Sequence, residues 1–295
     1  MTQLSIRRAT GYVVTAAAAW GTGGAAGSLL FAAGGFDALD VTFWRFLLGA
    51  AFLLPLLGGA SWRLDRHVLV VGAGMAVYQA AYFAAIARSG VAVATVITMG
   101  ATPVFTALGG RLLLGERLGR SGLAALLAAL TGLALLMAGS PEAPGGSGAG
   151  GALGGAGFAL LSAFGYAGVT LLSRRLGTAE EPGDPLATAA AGFLVGAACV
   201  LPFALAGGVL PRVSWESAAL LAFLGAVPTA LAYGLFFRAL TALSATTVAI
   251  VSLGEAAFAA LIGVALLGER PGPAGWAGCA LLLLAGVFPA RRARG

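Results

Sequence analysis

Long apolar runs, broken by short charged or Pro/Gly segments, fill the chain from end to end. Ten of them are read as membrane-spanning helices, over 10–33, 41–58, 67–87, 91–114, 121–138, 151–172, 186–207, 215–239, 244–267 and 272–288. About 20 apolar residues in a helix cross the hydrocarbon layer with every backbone group bonded internally. Only Arg88-Ser89-Gly90 separates the third run from the fourth, and only Leu240 to Leu243 the eighth from the ninth. Both pairs are expected to be tight helical hairpins. The Ser/Pro/Gly-rich stretch from Ser140 to Gly150 marks a flexible joint at the midpoint.

The pattern also repeats. Leu113-Leu114-Gly115-Glu116-Arg117-Leu118-Gly119 returns as Leu266-Leu267-Gly268-Glu269-Arg270-Pro271-Gly272, with Pro271 standing for Leu118. Five apolar runs separate the copies, and an odd number of crossings puts them on opposite membrane faces. The predicted architecture is therefore all-α and polytopic, with ten transmembrane helices in two inverted five-helix repeats. The first repeat covers 1–140, a linker 141–150, the second repeat 151–290, and a cytoplasmic tail 291–295.

Composition fits a bilayer and no soluble core, since 59% of residues are hydrophobic and only 9% charged. An average soluble domain carries about 25% charged residues. The net charge of +6 comes from 17 arginines without a lysine. They are scattered over the loops, so the interleaved basic and aromatic stripe of a nucleic-acid partner is missing. With the N-terminus inside, only Arg88, Arg212 and Arg270 fall on outer segments and Arg45 within a span, which leaves the other arginines inside. The positive-inside rule then puts both termini in the cytoplasm of a cell-membrane protein. Arg7-Arg8 before the first run is read as a topological anchor, because that run is longer than a signal-peptide core and more spans follow. Cys199 and Cys279 each lie in an apolar run and are read as small core residues.

Glu255 alone among 11 acidic residues lies near the centre of a span. A carboxylate there costs at least about 2.5–3.5 kcal/mol on insertion scales, which points to proton coupling or to a bond with a polar substrate. The bland alternative is a clamp for backbone groups at a helix irregularity. Arg45, four residues into its span, is read first as an interfacial anchor, with attraction of a substrate carboxylate as its functional alternative. Tyr78 and Tyr82 share one helix face, and Gln79 points about 100° away. The rings are candidates for a pocket floor, mirrored by Tyr233, or ordinary interhelical packing. Thr95, Thr98 and Thr102 in the fourth run answer Thr246, Thr247 and Ser252 in the ninth, as substrate contacts or as glue between helices. Trp20 with Thr22, and Phe164 with Tyr166, hold corresponding places in the first and sixth runs. The candidate substrate-binding set is Glu255, Gln79, Tyr78, Tyr82, Trp20, Thr98, Thr102, Tyr166, Tyr233, Ser252 and Arg45. Glu116 and Glu269 are read as caps for the helix that follows each of them.

Enzyme chemistry has little to work with. The single histidine, His67, sits at the edge of a span, so neither a Ser-His pair nor a His-based metal site forms within the membrane. No P-loop is present, so ATP is not the direct drive, and no cofactor is expected.

Trp20-Gly21, Phe43-Trp44-Arg45-Phe46, Ala101-Thr102-Pro103-Val104 before Leu114-Gly115-Glu116-Arg117, and Gly254-Glu255-Ala256 before Leu267-Gly268-Glu269-Arg270 occur in that order. In this the chain resembles the EamA branch of the drug/metabolite transporter superfamily over nearly its whole length. It departs where similar proteins read Glu-Pro, having Glu255-Ala256, which puts the helix break expected there in question, while Pro103 is kept at the equivalent place. The resemblance implies a carrier with a central cavity near the third, fourth, eighth and ninth helices. It implies export of a small polar metabolite, an amino acid or related compound, by alternating access. The partners expected are a small-molecule substrate, the lipid bilayer and protons as coupling ion, with a homodimer left open. An uncoupled facilitator, a drug exporter and, more remotely, an intramembrane lipid-modifying enzyme are the alternatives.

Overall fold

In a setting without water, a backbone that bonds within its own segment is the stable solution, and this sequence adopts it throughout. The computed structural model describes residues 4–32, 36–57, 66–138, 149–178, 184–207, 214–267 and 272–292, and those residues form helices without a strand. In order they are α1 (Ile6–Ala32), α2 (Ala38–Leu53) prolonged by a 3-10 turn (Leu54–Leu57), α3 (Arg66–Leu113), α4 (Arg120–Ala138), α5 (Ala149–Gly177) and α6 (Pro185–Gly207). Then follow α7 (Trp215–Gly225), a π-helical stretch (Ala226–Leu231), α8 (Ala232–Leu240), α9 (Ala245–Ser252), α10 (Gly254–Leu267) and α11 (Pro273–Arg292). Eight segments among the described residues are long and apolar enough to cross a membrane, and Pro273–Gly286 is a shorter apolar helix. Large side chains such as Leu112, Leu153 and Trp215 point outward from them. This is a multi-pass membrane protein.

Polar residues set the helix ends. Asp37 Oδ1 accepts the Leu39 and Asp40 N–H groups at 2.8 Å each, and Asp40 Oδ2 accepts the Asp37 N–H at 3.1 Å, a reciprocal capping box. Ser214 with Ser217 does the same for α7, and Ser244 caps α9. After α3, Gly115 takes φ +66°, the left-handed region where a side chain is penalised.

The helix α3 is assigned without interruption, yet it doubles back. Residues 82 and 95 would stand about 20 Å apart on a straight helix at 1.5 Å per residue, whereas Tyr82 Oη and Thr95 Oγ1 meet at 2.6 Å. Its first arm runs antiparallel to α5, with Gly74 against Val169 and Ser89 against Gly155. Its second arm runs parallel to α5, Thr98 reaching Ala159 and Gly109 facing Leu171. The expected hairpin between the third and fourth runs is thus present, within helical backbone. The second one turns at Thr241 to Ser244, between α8 and α9.

The two helix breaks left in question are resolved, and two expectations need correction. The helix of the ninth run does break, at Leu253, without a proline. There the Leu253 N–H bonds Ile250 O and the Ala256 N–H bonds Leu253 O, both at 3.2 Å, shortened to i→i−3. The helix does not break at Pro103, where Thr102 and Thr106 hydroxyls bond the carbonyls one turn back and the ladder resumes. Residues 149 and 150, assigned to the linker, open α5. Cys199 is exposed on the outer surface of α6 rather than a core residue, while Cys279 is buried. The remainder of the linker, Glu269, and the tail beyond Arg292 lie outside the described residues.

Glycine lets the helices approach closely where they cross. A Cβ on Gly278 would fall 2.5 Å from Gly132 O and from Leu136 N, so α11 and α4 meet backbone to backbone. A Cβ on Gly21 would fall 2.9 Å from Ala259 N, which seats α1 against α10. Gly157 has nothing within 4 Å. Gly278→Ala is therefore expected to destabilise the protein by about 1–3 kcal/mol through overpacking. Gly157→Ala is expected to be neutral or to stabilise it by up to about 1 kcal/mol through helix propensity. Unfolding titrations in detergent, run on both variants, check the contrast.

Candidate functional site

The close crossings leave space elsewhere. A cavity of ≈ 180 Å³ lies between the halves, well above the roughly 10–15 Å³ that one water needs. Its walls come from α1 (Trp20), α2 (Arg45), both arms of α3 (Tyr78, Gln79, Tyr82; Thr98, Thr102), α5 (Tyr166), α8 (Tyr233), and the α9–α10 break (Ser252, Glu255). All eleven candidates therefore face one space.

Aromatic rings form one wall. Trp20 packs edge-on against Tyr233 at 5.0 Å between centroids, and Tyr78 against Tyr166 at 5.2 Å. The Tyr78 and Tyr233 hydroxyls, one from each half, share a hydrogen bond of 2.5 Å. The mirrored placing of Tyr233 is thus a direct contact. Gln79 lies on the same cavity despite its angular offset from the two tyrosines.

Two opposite charges face the space without pairing. Glu255 forms no hydrogen bond or ion pair among the described residues. It sits one residue past the start of α10, at the break, where a carboxylate also meets the positive end of the helix. Arg45 does not snorkel to the interface. The Asp37 cap starts α2 early enough to make it the eighth helical residue, and its Nε donates to Thr229 Oγ1 at 3.3 Å. That hydroxyl is fixed in turn by donating to Leu224 O at 2.7 Å, the i→i−5 spacing of the π-helical stretch. The irregular turn in the second half thereby holds a cation of the first. Arg45 and Glu255 line one cavity and are not bonded to each other.

The hydroxyl residues divide. Thr98 donates to Ala159 O at 3.2 Å and Thr102 to Thr98 O at 2.7 Å, which leaves their oxygens as acceptors toward the cavity. Thr95 is held by Tyr82, and Thr247 by the α9 cap. The Ser252 hydroxyl and the Trp20 indole N–H are buried and make no hydrogen bond in the structure. Both belong to cavity-lining residues, and each is a buried donor left without a partner in this structure.

Met99, Ser162, Ala249 and Leu253 also line the cavity and were not among the candidates. Ser162 was within reach of sequence reasoning, being one turn before Tyr166 on α5; its hydroxyl donates to Tyr78 O at 2.8 Å. Met99, Ala249 and Leu253 carry no polar group to mark them. Among the described residues no group of three His, Cys, Asp or Glu is placed to hold a metal.

Comparison with known proteins agrees with this architecture. A model of the EamA-like transporter family matches twice, over residues 8–138 and 153–288. An uncharacterized transporter of Bacillus subtilis, YwfM, is 30% identical over 281 residues, covering 92% of this chain and 90% of its own. An uncharacterized transporter of Archaeoglobus fulgidus is 30% identical over 239 residues, 80% of each chain. A solved crystal structure with 24% identity superposes with a TM-score of 0.82, covering 97% of this chain and 99% of that one, and so shares the fold. The chain belongs to the EamA-like transporter family.

Proposed function

We propose that this protein is a secondary transporter that exports a small polar metabolite across the cell membrane by alternating access. Ten crossings in two inverted five-helix repeats enclose the site, with both termini in the cytoplasm. The family model's two matches, one in each half, support the duplication. The observation that carries the proposal is the unpaired Arg45 and Glu255, one from each half, on one cavity walled by aromatic rings. An empty cavity with two unpaired charges is costly, and a cargo with complementary charges offsets that cost. An amino acid or similar zwitterion fits, its carboxylate toward Arg45, its ammonium toward Glu255, and its side chain against Tyr78, Tyr166 and Trp20.

The packing supports an outward-facing state. Toward the arginine-rich end, helices below the cavity present fully buried residues, among them Thr106 and Val248. Toward the other end, Thr95 to Ala101 and Glu255 to Ala256 are only partly buried.

Glu255 is the candidate proton carrier. Purified protein in proteoliposomes, given a labelled panel of amino acids and purine metabolites with and without an imposed proton gradient, is expected to show gradient-stimulated flux of one compound class. Flux of none of them contradicts the proposal. Glu255→Gln is expected to lose the stimulation; a variant that transports at the wild-type rate with unchanged pH dependence excludes the proton role.

Arg45→Gln tests the other pole of the site. Loss of a charge-assisted bond of about 1.5–3 kcal/mol is expected to raise the apparent KM for a carboxylate-bearing cargo at least about tenfold. Uptake of its uncharged amide analogue should change little. Equal loss for both compounds points to a structural role for Arg45.

A further inference from the structure

The motif Leu114-Gly115-Glu116-Arg117 is not used by the cavity, and its glutamate does not cap the helix that follows. Left-handed Gly115 ends α3, and the Glu116 N–H bonds back to Gly110 O at 2.9 Å. This turn sends the Glu116 side chain across to the second half. One carboxylate oxygen accepts Arg174 Nε of α5 at 3.1 Å, and the other accepts the Ala245 N–H, the first of α9, at 3.1 Å. Arg174 Nη1 donates to Leu240 O, the last of α8, at 2.7 Å. A first-half carboxylate and a second-half guanidinium thus tie the α8–α9 turn by both of its ends.

Its position beneath the cavity gives the cluster a role. From the nearest cavity-lining residue to the clasp there are eight residues on α3 (Thr102 to Gly110) and on α5 (Tyr166 to Arg174), seven on α8 (Tyr233 to Leu240) and four on α9 (Ala249 to Ala245). The first three intervals are roughly 10–12 Å and the last about 6 Å at 1.5 Å per residue. Within each interval lies a residue at most 1% exposed, namely Thr106, Thr170, Phe236 and Val248. Cargo leaving or entering by the arginine-rich end must pass this layer, and the layer cannot part while Glu116 holds the α8–α9 turn.

We propose that Glu116 and Arg174 form the latch of the gate at the arginine-rich end, closed in this structure and released when that end opens. As a gate the cluster rests on the transport reading, since a protein that moves nothing has no need of one. Releasing it leaves the Ala245 N–H and the Leu240 carbonyl to water, which reaches that end when it opens. The closed state therefore holds through three mutually dependent bonds and opens as a unit.

The test is a distance measurement by double electron–electron resonance in nanodiscs. Spin labels go on Leu113→Cys and Arg238→Cys, both exposed and one on each half, with Cys199 and Cys279 replaced by Ala. The parent is expected to give one short-distance population. Glu116→Ala and Arg174→Ala each remove two of the three bonds and should raise the ratio of long to short distances by at least about tenfold, the factor for one lost charge-assisted bond, and Glu116→Gln, which keeps an acceptor for Ala245, should lie between. An unchanged distribution in Glu116→Ala and in Arg174→Ala overturns the latch. Should Glu116→Ala elute aggregated, Glu116→Gln and Arg174→Ala carry the measurement. Flux is read separately in the same proteins, so absent flux with responsive distances counts against the transport reading, and normal flux with unresponsive distances counts against the latch alone.

Discussion

The structure depends on holding two opposite charges apart inside an apolar bundle. A guanidinium and a carboxylate free to approach would pair, and a bundle of this composition would close over them. Arg45 is oriented by its bond to Thr229, itself locked at the π-helical turn, Glu255 is placed at the start of α10, and the two form no ion pair across the cavity between them. The regular ladder is relaxed at both points, in the second half; the break at Leu253 lines the cavity, and the π-helical turn reaches it through Arg45. Irregular backbone at membrane depth is tolerable where it lines such a space.

Elsewhere the packing works in the opposite direction. At Gly132–Gly278 and at Gly21–Ala259 the helices touch through their backbones, with no side chain able to slide between them. Dispersion over such contacts replaces the hydrophobic drive that lipid removes. Close crossings, one of them beside the cavity at Gly21, and the wider spacing of the cavity itself are two sides of one geometry. The aromatic rings of Trp20, Tyr78, Tyr166 and Tyr233 fill part of that width while still presenting donors and acceptors to a guest.

Much of this was legible in the sequence. Cost is the reason: a carboxylate such as Glu255, or an amide such as Gln79, stands out against an apolar run because the membrane penalises it, and the penalty implies a shared polar space. Tyr78 and Tyr233 were legible as a pair because the repeat relates their helices. What escaped was whatever depended on backbone context. Arg45 reads as a surface anchor until the Asp37 cap adds a turn before it. The break at Leu253 has no proline to announce it, and Pro103 announces one that does not occur. Glu116 reads as a cap for its own neighbour, because nothing local shows that Gly115 turns its side chain toward Ala245. Ala249 and Leu253 line the cavity through position alone.

Ala249 also gives a chemical handle on whether cargo passes through the space between the halves. In protein with Cys199 and Cys279 replaced by Ala, Ala249→Cys lines the cavity and Leu160→Cys faces outward from α5. Both are reacted to completion with a small thiol reagent, and flux of the transported compound is measured before and after. Modification at 249 is expected to abolish flux, modification at 160 to leave it intact, and prior loading with cargo to slow the reaction at 249. Flux that survives a filled cavity would contradict passage between the halves.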